Sequence, residues 1–187
     1  MKQLGKLIRD IVPVILGILV ALVINNWNED RKDKNYLDRI FISIENELEA
    51  SRIDIKEKIP KQQVLIDSLK RYMSDETVSM FAIIRKADGI HGPLIKNSSW
   101  KAIASTKIEL IEFEKLSTLS EIDASKKNLE LKQEKLMDFM INNIKSTSQE
   151  KKEVLMLLMQ EIISTEKYLY RELDAFLQQS KEETPKE

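Results

Sequence analysis

Residues 11–28, IVPVILGILVALVINNWN, form an 18-residue stretch without a charge in a chain of which 33% of residues are charged. As an α-helix this stretch reaches about 27 Å at 1.5 Å per residue, against roughly 30 Å of bilayer hydrocarbon. Val12, Val14, Ile15, Leu16, Ile18, Leu19, Val20, Leu22, Val23 and Ile24 point all round the helix axis, whereas a helix laid on a soluble core keeps a polar face. A cleavable signal would end in an Ala-x-Ala-like site, and here the run ends in Asn25, Asn26, Trp27 and Asn28. The expectation is an uncleaved transmembrane anchor over 11–28, behind a short basic tail, 1–10, that carries Lys2, Lys6 and Arg9.

The flanks fit a span. Trp27 falls where an amphipathic ring sits at headgroup level, and Pro13 suits a first helical turn because its missing N–H has no intrahelical partner to lose. Gly17, Ala21 and Asn25 recur every fourth residue, which places two small residues and one amide on a single stripe, the pattern that allows membrane helices to approach closely and hydrogen-bond. These three are the candidate membrane-helix interface. The positive-inside count is near balance, with Lys2, Lys6 and Arg9 before the span and Arg31, Lys32, Lys34 and Arg39 after it. The topology expected is an N-terminus in the cytoplasm and a periplasmic body on a single-pass inner-membrane anchor.

Residues 17–29, GILVALVINNWNE, resemble the N-terminal signature of an uncharacterised family of small membrane-anchored helical proteins of Bacteroidota. Residues 97–111, NSSWKAIASTKIELI, resemble the middle segment of the same family, in which an early aromatic is followed by Ser or Thr and a Leu-Ile pair. The resemblance implies an anchor and a helical body. It implies no catalytic residue.

Beyond the anchor the pattern is helical. Four Gly and four Pro in 187 residues leave few turns, and Leu, Ile, Lys and Glu dominate, so the class expected is all-α: one transmembrane helix followed by an elongated up-down helical bundle with coiled-coil-like seams over 29–179. Leu37, Phe41, Ile44, Leu48 and Ile55 alternate at spacings of four and three, with Ser51 in the remaining step. Pro60 is expected to end or kink that helix, and residues 61–73 then read as a separate short helix. Residues 77–86 are a weaker helix candidate. Residues 87–99, ADGIHGPLIKNSS, hold two of the four Gly and read as the main loop, with Asn97, Ser98 or Ser99 capping a helix that starts near Trp100.

Two long antiparallel helices are expected to follow. Leu119, Ile122, Leu129, Leu136 and Met140 mark the first, with polar Lys126 and Gln133 in the missing steps; Leu155, Met159, Ile162, Leu169, Leu173 and Phe176 mark the second. A hairpin turn over 145–150 joins them, and Thr147-x-x-Glu150 there reads as a capping box. The tail 180–187 lacks apolar residues and is expected to be disordered. VLMLLM at 154–159 is too short for a second span and follows Lys151, Lys152 and Glu153.

The chain offers little for chemistry. It has no Cys and one His, His91, without a constellation to serve a metal or a general base, and no phosphate-binding glycine motif occurs. Glu45, Glu47 and Glu49 read as a solvated helix face, and Trp100 as a core plug that pins the loop. Thirty basic and 31 acidic residues, interleaved, create no field for nucleic acid. No catalytic, metal or cofactor site is expected and no enzyme activity. The partners expected are the lipid bilayer and either a second copy or another membrane protein, in a structural or adaptor role. The alternative is an extracytoplasmic sensor-like helical bundle that binds a small ligand and signals through a partner.

Overall fold

The computed structural model describes residues 2–183, with side chains over 12–182; the basic side chains of the tail 1–10 and residues 184–187 lie outside this description. The described chain is all-α, 84% helix, and carries no strand. Five helices follow one another: α1 Lys2–Arg71, α2 Met80–Lys86, α3 Ser98–Thr106, α4 Phe113–Asn143 and α5 Gln149–Glu183, with a single 3-10 turn at Ile108–Leu110. Contacts divide the chain into two compact units, Met1–Ile42 and Ser43–Glu187.

In the first unit α1 has an apolar sleeve. Every large apolar side chain from Val12 to Ile24 is between 44% and 67% exposed, so no described residue covers this surface.

The second unit, the body, holds the core. α4 and α5 run antiparallel, as the pairing of Glu114 with Gln179 and of Lys132 with Glu161 shows. The α1 portion from residue 43 onward runs antiparallel to α5, since Arg52 meets Asp174, Gln62 meets Glu166, and Tyr72 meets Lys152. Ile44, Leu48, Ser51 and Ile55 of α1 are buried, as are the α4 and α5 stripes picked out by their four-three spacing. Leu119, Leu129, Leu155, Met159, Leu169 and Leu173 are at most 1% exposed, so these stripes face protein and not water.

Pro60 neither ends α1 nor separates residues 61–71 from it. Its ring costs the helix one hydrogen bond, but Ile55, Leu65, Ile66 and Leu69 on either side are all buried, and this packing outweighs a local loss of about 3 kcal/mol. The end of α1 is closed by a lysine. Lys152 of α5 is fully buried and its ammonium donates to the carbonyls of Tyr72, 3.0 Å, and Asp75, 2.6 Å, which satisfies the chain just past the last turn.

Residues 87–97, expected as a loop, are an ordered extended strap. α2 ends at Ala87 with two left-handed residues, Asp88 at φ 63° and Gly89 at φ 96°, and the Gly89 N–H returns to the Ile84 carbonyl at 2.9 Å. The chain then runs back along α1. Gln62 donates to the His91 carbonyl, Asp54 accepts from the Leu94 N–H, Ser51 accepts from the Lys96 N–H, and Glu47 accepts from the Ser99 N–H. Descending α1 positions thus meet ascending strap positions in antiparallel order. Eleven residues of helix, 51–62, rise about 16 Å, and five extended steps, 91–96, cover a similar distance at about 3 Å each. Along the strap Pro93, Ile95 and Asn97 are buried and Leu94 and Lys96 exposed, the period-two alternation of an extended chain on one surface.

The strap delivers α3. Asn97 precedes that helix but does not cap it with its side chain, which instead donates to Asp123 of α4 at 2.6 Å. The cap comes from α1: the Glu47 carboxylate takes the Ser99 N–H at 3.0 Å and the Ser99 hydroxyl at 3.1 Å. Glu45 bonds Ser180 and Glu49 binds Arg52. The three glutamates expected on a solvated face are therefore half-buried and each engaged.

Two boundaries differ from expectation. α5 starts at Gln149, one residue later than a Thr147 cap implies; Ser146 accepts from the Ser148 N–H, and carbonyls of this same connection take the first N–H groups of α2 from Met80 and Phe81. Ser180 to Glu183 belong to α5 and not to a disordered tail, with the Ser180 hydroxyl held by Glu45.

Candidate functional site

A cleft of about 590 Å³ opens in the body where the strap begins. Met137, Met140 and Ile141 of α4 form one wall, Met159 and Ile162 of α5 the floor, Phe81 and Ile84 of α2 the second wall, and His91, Gly92 and Pro93 of the strap the end. No Lys, Arg, Asp or Glu lines it. Phe81, Met137 and Ile141 are 52%, 60% and 70% exposed, so the apolar surface continues out of the cleft to the rim. Methionines give such a wall freedom to reshape around an occupant. The polar groups at the strap end are the His91 ring and the Gln133 amide; a β-carbon on Gly92 would stand 3.2 Å from the Gln133 Nε2, so glycine there lets the two elements meet.

The strap wall of this cleft is latched by a buried polar pair. Gln62 of α1 and Glu166 of α5 are both fully buried, and the Gln62 amide donates simultaneously to the His91 carbonyl, 2.9 Å, and to Glu166 Oε1, 2.8 Å. Two acceptors remain unsatisfied, Gln62 Oε1 and Glu166 Oε2. A proton on Glu166 provides the donor that this arrangement lacks. Burial pushes the Glu166 carboxyl up to about 7, and the nearby charge of Asp54 adds to the effect, against the stabilising Gln62 hydrogen bond. Glu166 occupies the step between Ile162 and Leu169 in the α5 stripe, and Gln62 lies seven residues after Ile55 on α1.

The residues singled out from sequence are dispersed. Gly17, Ala21 and Asn25 lie on α1 in the first unit; nothing stands within 4 Å of a β-carbon built on Gly17, and the Asn25 amide donates to Glu29 at 3.2 Å. Trp27 is 63% exposed, with the Arg31 guanidinium 5.9 Å from its ring centre. Trp100 is buried in α3 of the body, 6% exposed. His91 contributes its backbone carbonyl to the latch, while its ring stands 3.9 Å from Asp88. Among the described residues no group of three or more His, Asp or Glu is placed to hold a metal ion. Sequence reasoning did not identify Gln62 and Glu166, although each is a polar residue at an apolar step of a stripe, as Lys126 and Gln133 are in α4.

No family model, curated protein or solved structure matches this chain.

The Glu166 proton has a measurable consequence. Unfolded, this carboxyl titrates near 4.5; folded, it holds its proton to about 7, so between those values the folded state binds the extra proton and stability falls as pH rises. The full difference is of order 3 kcal/mol. Glu166→Gln removes the titratable group and keeps an oxygen to accept from the Gln62 amide. Urea unfolding followed by circular dichroism should find this variant about 1–3 kcal/mol more stable than the parent at pH 8 and indistinguishable from it at pH 5. Equal pH slopes for both proteins would show that Glu166 is ionised in the folded chain.

Proposed function

We propose that this chain is a single-pass membrane-anchored helical protein whose body serves as a structural or adaptor element, with residues 11–28 as the anchor. The observation that carries this reading is the sleeve from Val12 to Ile24, large and apolar on all sides and buried by none of the described residues. Water would hydrate that surface at a cost of roughly 25 cal/mol for every Å², a cost hydrocarbon removes. The resemblance of residues 17–29 to the anchored family supports the same assignment, and Trp27 stacked near Arg31 suits a headgroup boundary. The seams of the body, closed on one another, suit a rigid element that presents a surface to a partner. The topology proposed is an N-terminus inside and a periplasmic body.

A second reading, a sensor-like helical bundle that binds a small ligand, is favoured by the 590 Å³ cleft, which has the volume and apolar lining of a ligand pocket. Signal output would then require a partner protein.

In cells, the intact chain should remain in the membrane pellet after alkaline carbonate washing, and external protease should digest its body in spheroplasts. Release of a soluble form that starts after residue 25 would overturn the anchor, and full protection of the body would reverse the topology.

Self-association through the anchor has its own test. Gly17→Leu with Ala21→Leu widens the Gly17, Ala21, Asn25 stripe without loss of hydrophobicity, so in an anchor segment fused to a reporter of membrane-helix pairing the signal should fall while insertion persists. Exchange of Ile18 and Leu22 for other large apolar residues should leave the signal unchanged. Identical signals from all three would mean that the stripe faces lipid.

A further inference from the structure

The groove between α1 and α5 is segregated by charge. Two adjoining cavities of about 550 and 250 Å³ lie along it and share Ser164 and Lys167. Lys56, Lys167 and Arg171 line the first and Lys70 extends the second, yet no carboxylate lines either one. The chain as a whole has 31 carboxylates to 30 cations, so a groove with four cations and none of the opposite sign is not the average surface. The nearest carboxylates are engaged by other side chains: Asp54 holds Lys58, Asp174 with Glu49 holds Arg52, and Asp67 accepts from Gln63 at the edge of the second cavity. Lys56, Lys70, Lys167 and Arg171 are exposed, and their charges reach solvent.

The floor of the first cavity is apolar, formed by Ile59 and Pro60; in the second, Ile66 and Ile163 lie beside Gln63 and Gln160. Tyr170 walls the first cavity, and the paired Arg52 lies 6.0 Å from its ring. From Lys56 to Lys70 the helix rises about 21 Å, the length of about six residues of extended polypeptide. Lys56, Lys167 and Arg171 share the first cavity, and Lys70 carries the positive charge on into the second, so the groove extends beyond what a single phosphate would occupy. Tyr170 is the one aromatic side chain that lines the groove, too few for the successive base stacking of a single-stranded nucleic acid.

We propose that this groove is a docking site for an extended, acidic polypeptide segment of a partner protein, its carboxylates along Lys56, Lys167, Arg171 and Lys70 and its alternate apolar side chains on the Ile59–Pro60 floor. An extended chain sends successive side chains to opposite sides, so an alternating acidic and apolar sequence satisfies rims and floor together. The site belongs to the body alone and does not depend on where residues 11–28 reside.

The test is fluorescence anisotropy on the full chain in an uncharged detergent, with empty micelles as baseline. The probes are a labelled hexapeptide of alternating Glu and Leu, its Lys and Leu counterpart, and a six-nucleotide oligothymidylate. The Glu-Leu peptide should bind the parent at low salt and weaken as salt rises, and Lys56→Gln, Lys167→Gln and Arg171→Gln together should weaken it at least about tenfold. Lys101→Gln with Lys151→Gln, away from the groove, should change it less than about twofold. Lys167→Glu with Arg171→Glu should transfer preference to the Lys-Leu peptide. Failure of the Glu-Leu peptide to bind, equal binding by the triple variant, no transfer of preference, or tighter binding of the oligonucleotide would each overturn the proposal.

Discussion

The body depends on one set of contacts, the hydrogen bonds that α1 side chains make to the backbone of the strap. An extended segment outside a sheet has no neighbouring strand to satisfy its N–H and C=O groups, and each buried group left unpaired costs about 1–3 kcal/mol. Here Gln62, Asp54, Ser51 and Glu47 supply the missing partners at intervals that match the pitch of a helix to the stride of an extended chain. The positions of α2, α3 and the cleft follow. The strap fixes one wall of the cleft through His91 and Gly92, and it delivers the N-terminus of α3 to the Glu47 carboxylate.

Polar groups inside the core set register more than they add stability. Lys152 ends on two carbonyls beyond α1, and Gln62 meets Glu166 between helices. Any slide of α5 along α1 by one turn would separate Lys152 from its carbonyls and Glu166 from Gln62 at once, leaving buried polar groups without partners. An apolar stripe alone would tolerate that slide far better, because leucines and isoleucines repeat every three or four residues. We regard this as the reason that four-three stripes in this chain are interrupted by Ser, Gln, Lys and Glu.

The helical class, the apolar sleeve and the stripes of α4 and α5 were legible in the sequence because each is a local periodicity. The strap was legible only as a loop: its Gly and Pro content marks the absence of helix, while its order comes from side chains 29 to 52 residues away on α1. Pro60 misled for a related reason, since a rule about one turn cannot weigh the buried Ile55, Leu65, Ile66 and Leu69 that hold the turns around it. Glu47 read as solvated because its partner Ser99 is 52 residues distant. Glu166 and Gln62 did leave a trace, a polar residue at an apolar step on each of two helices, but spacing does not reveal that two such steps face one another.

If α1 side chains hold the strap as described, the amides of Leu94 and Lys96 are locked by Asp54 and Ser51 and open only when the body unfolds. Native-state hydrogen exchange resolved at single amides tests this directly. Both amides should exchange with the slow opening of the α5 core around Leu169 and Leu173, and Ser51→Ala should release Lys96 selectively. Exchange of Leu94 and Lys96 at the rates of an unstructured peptide, in a body whose α5 core stays protected, would contradict the strap as a structural element.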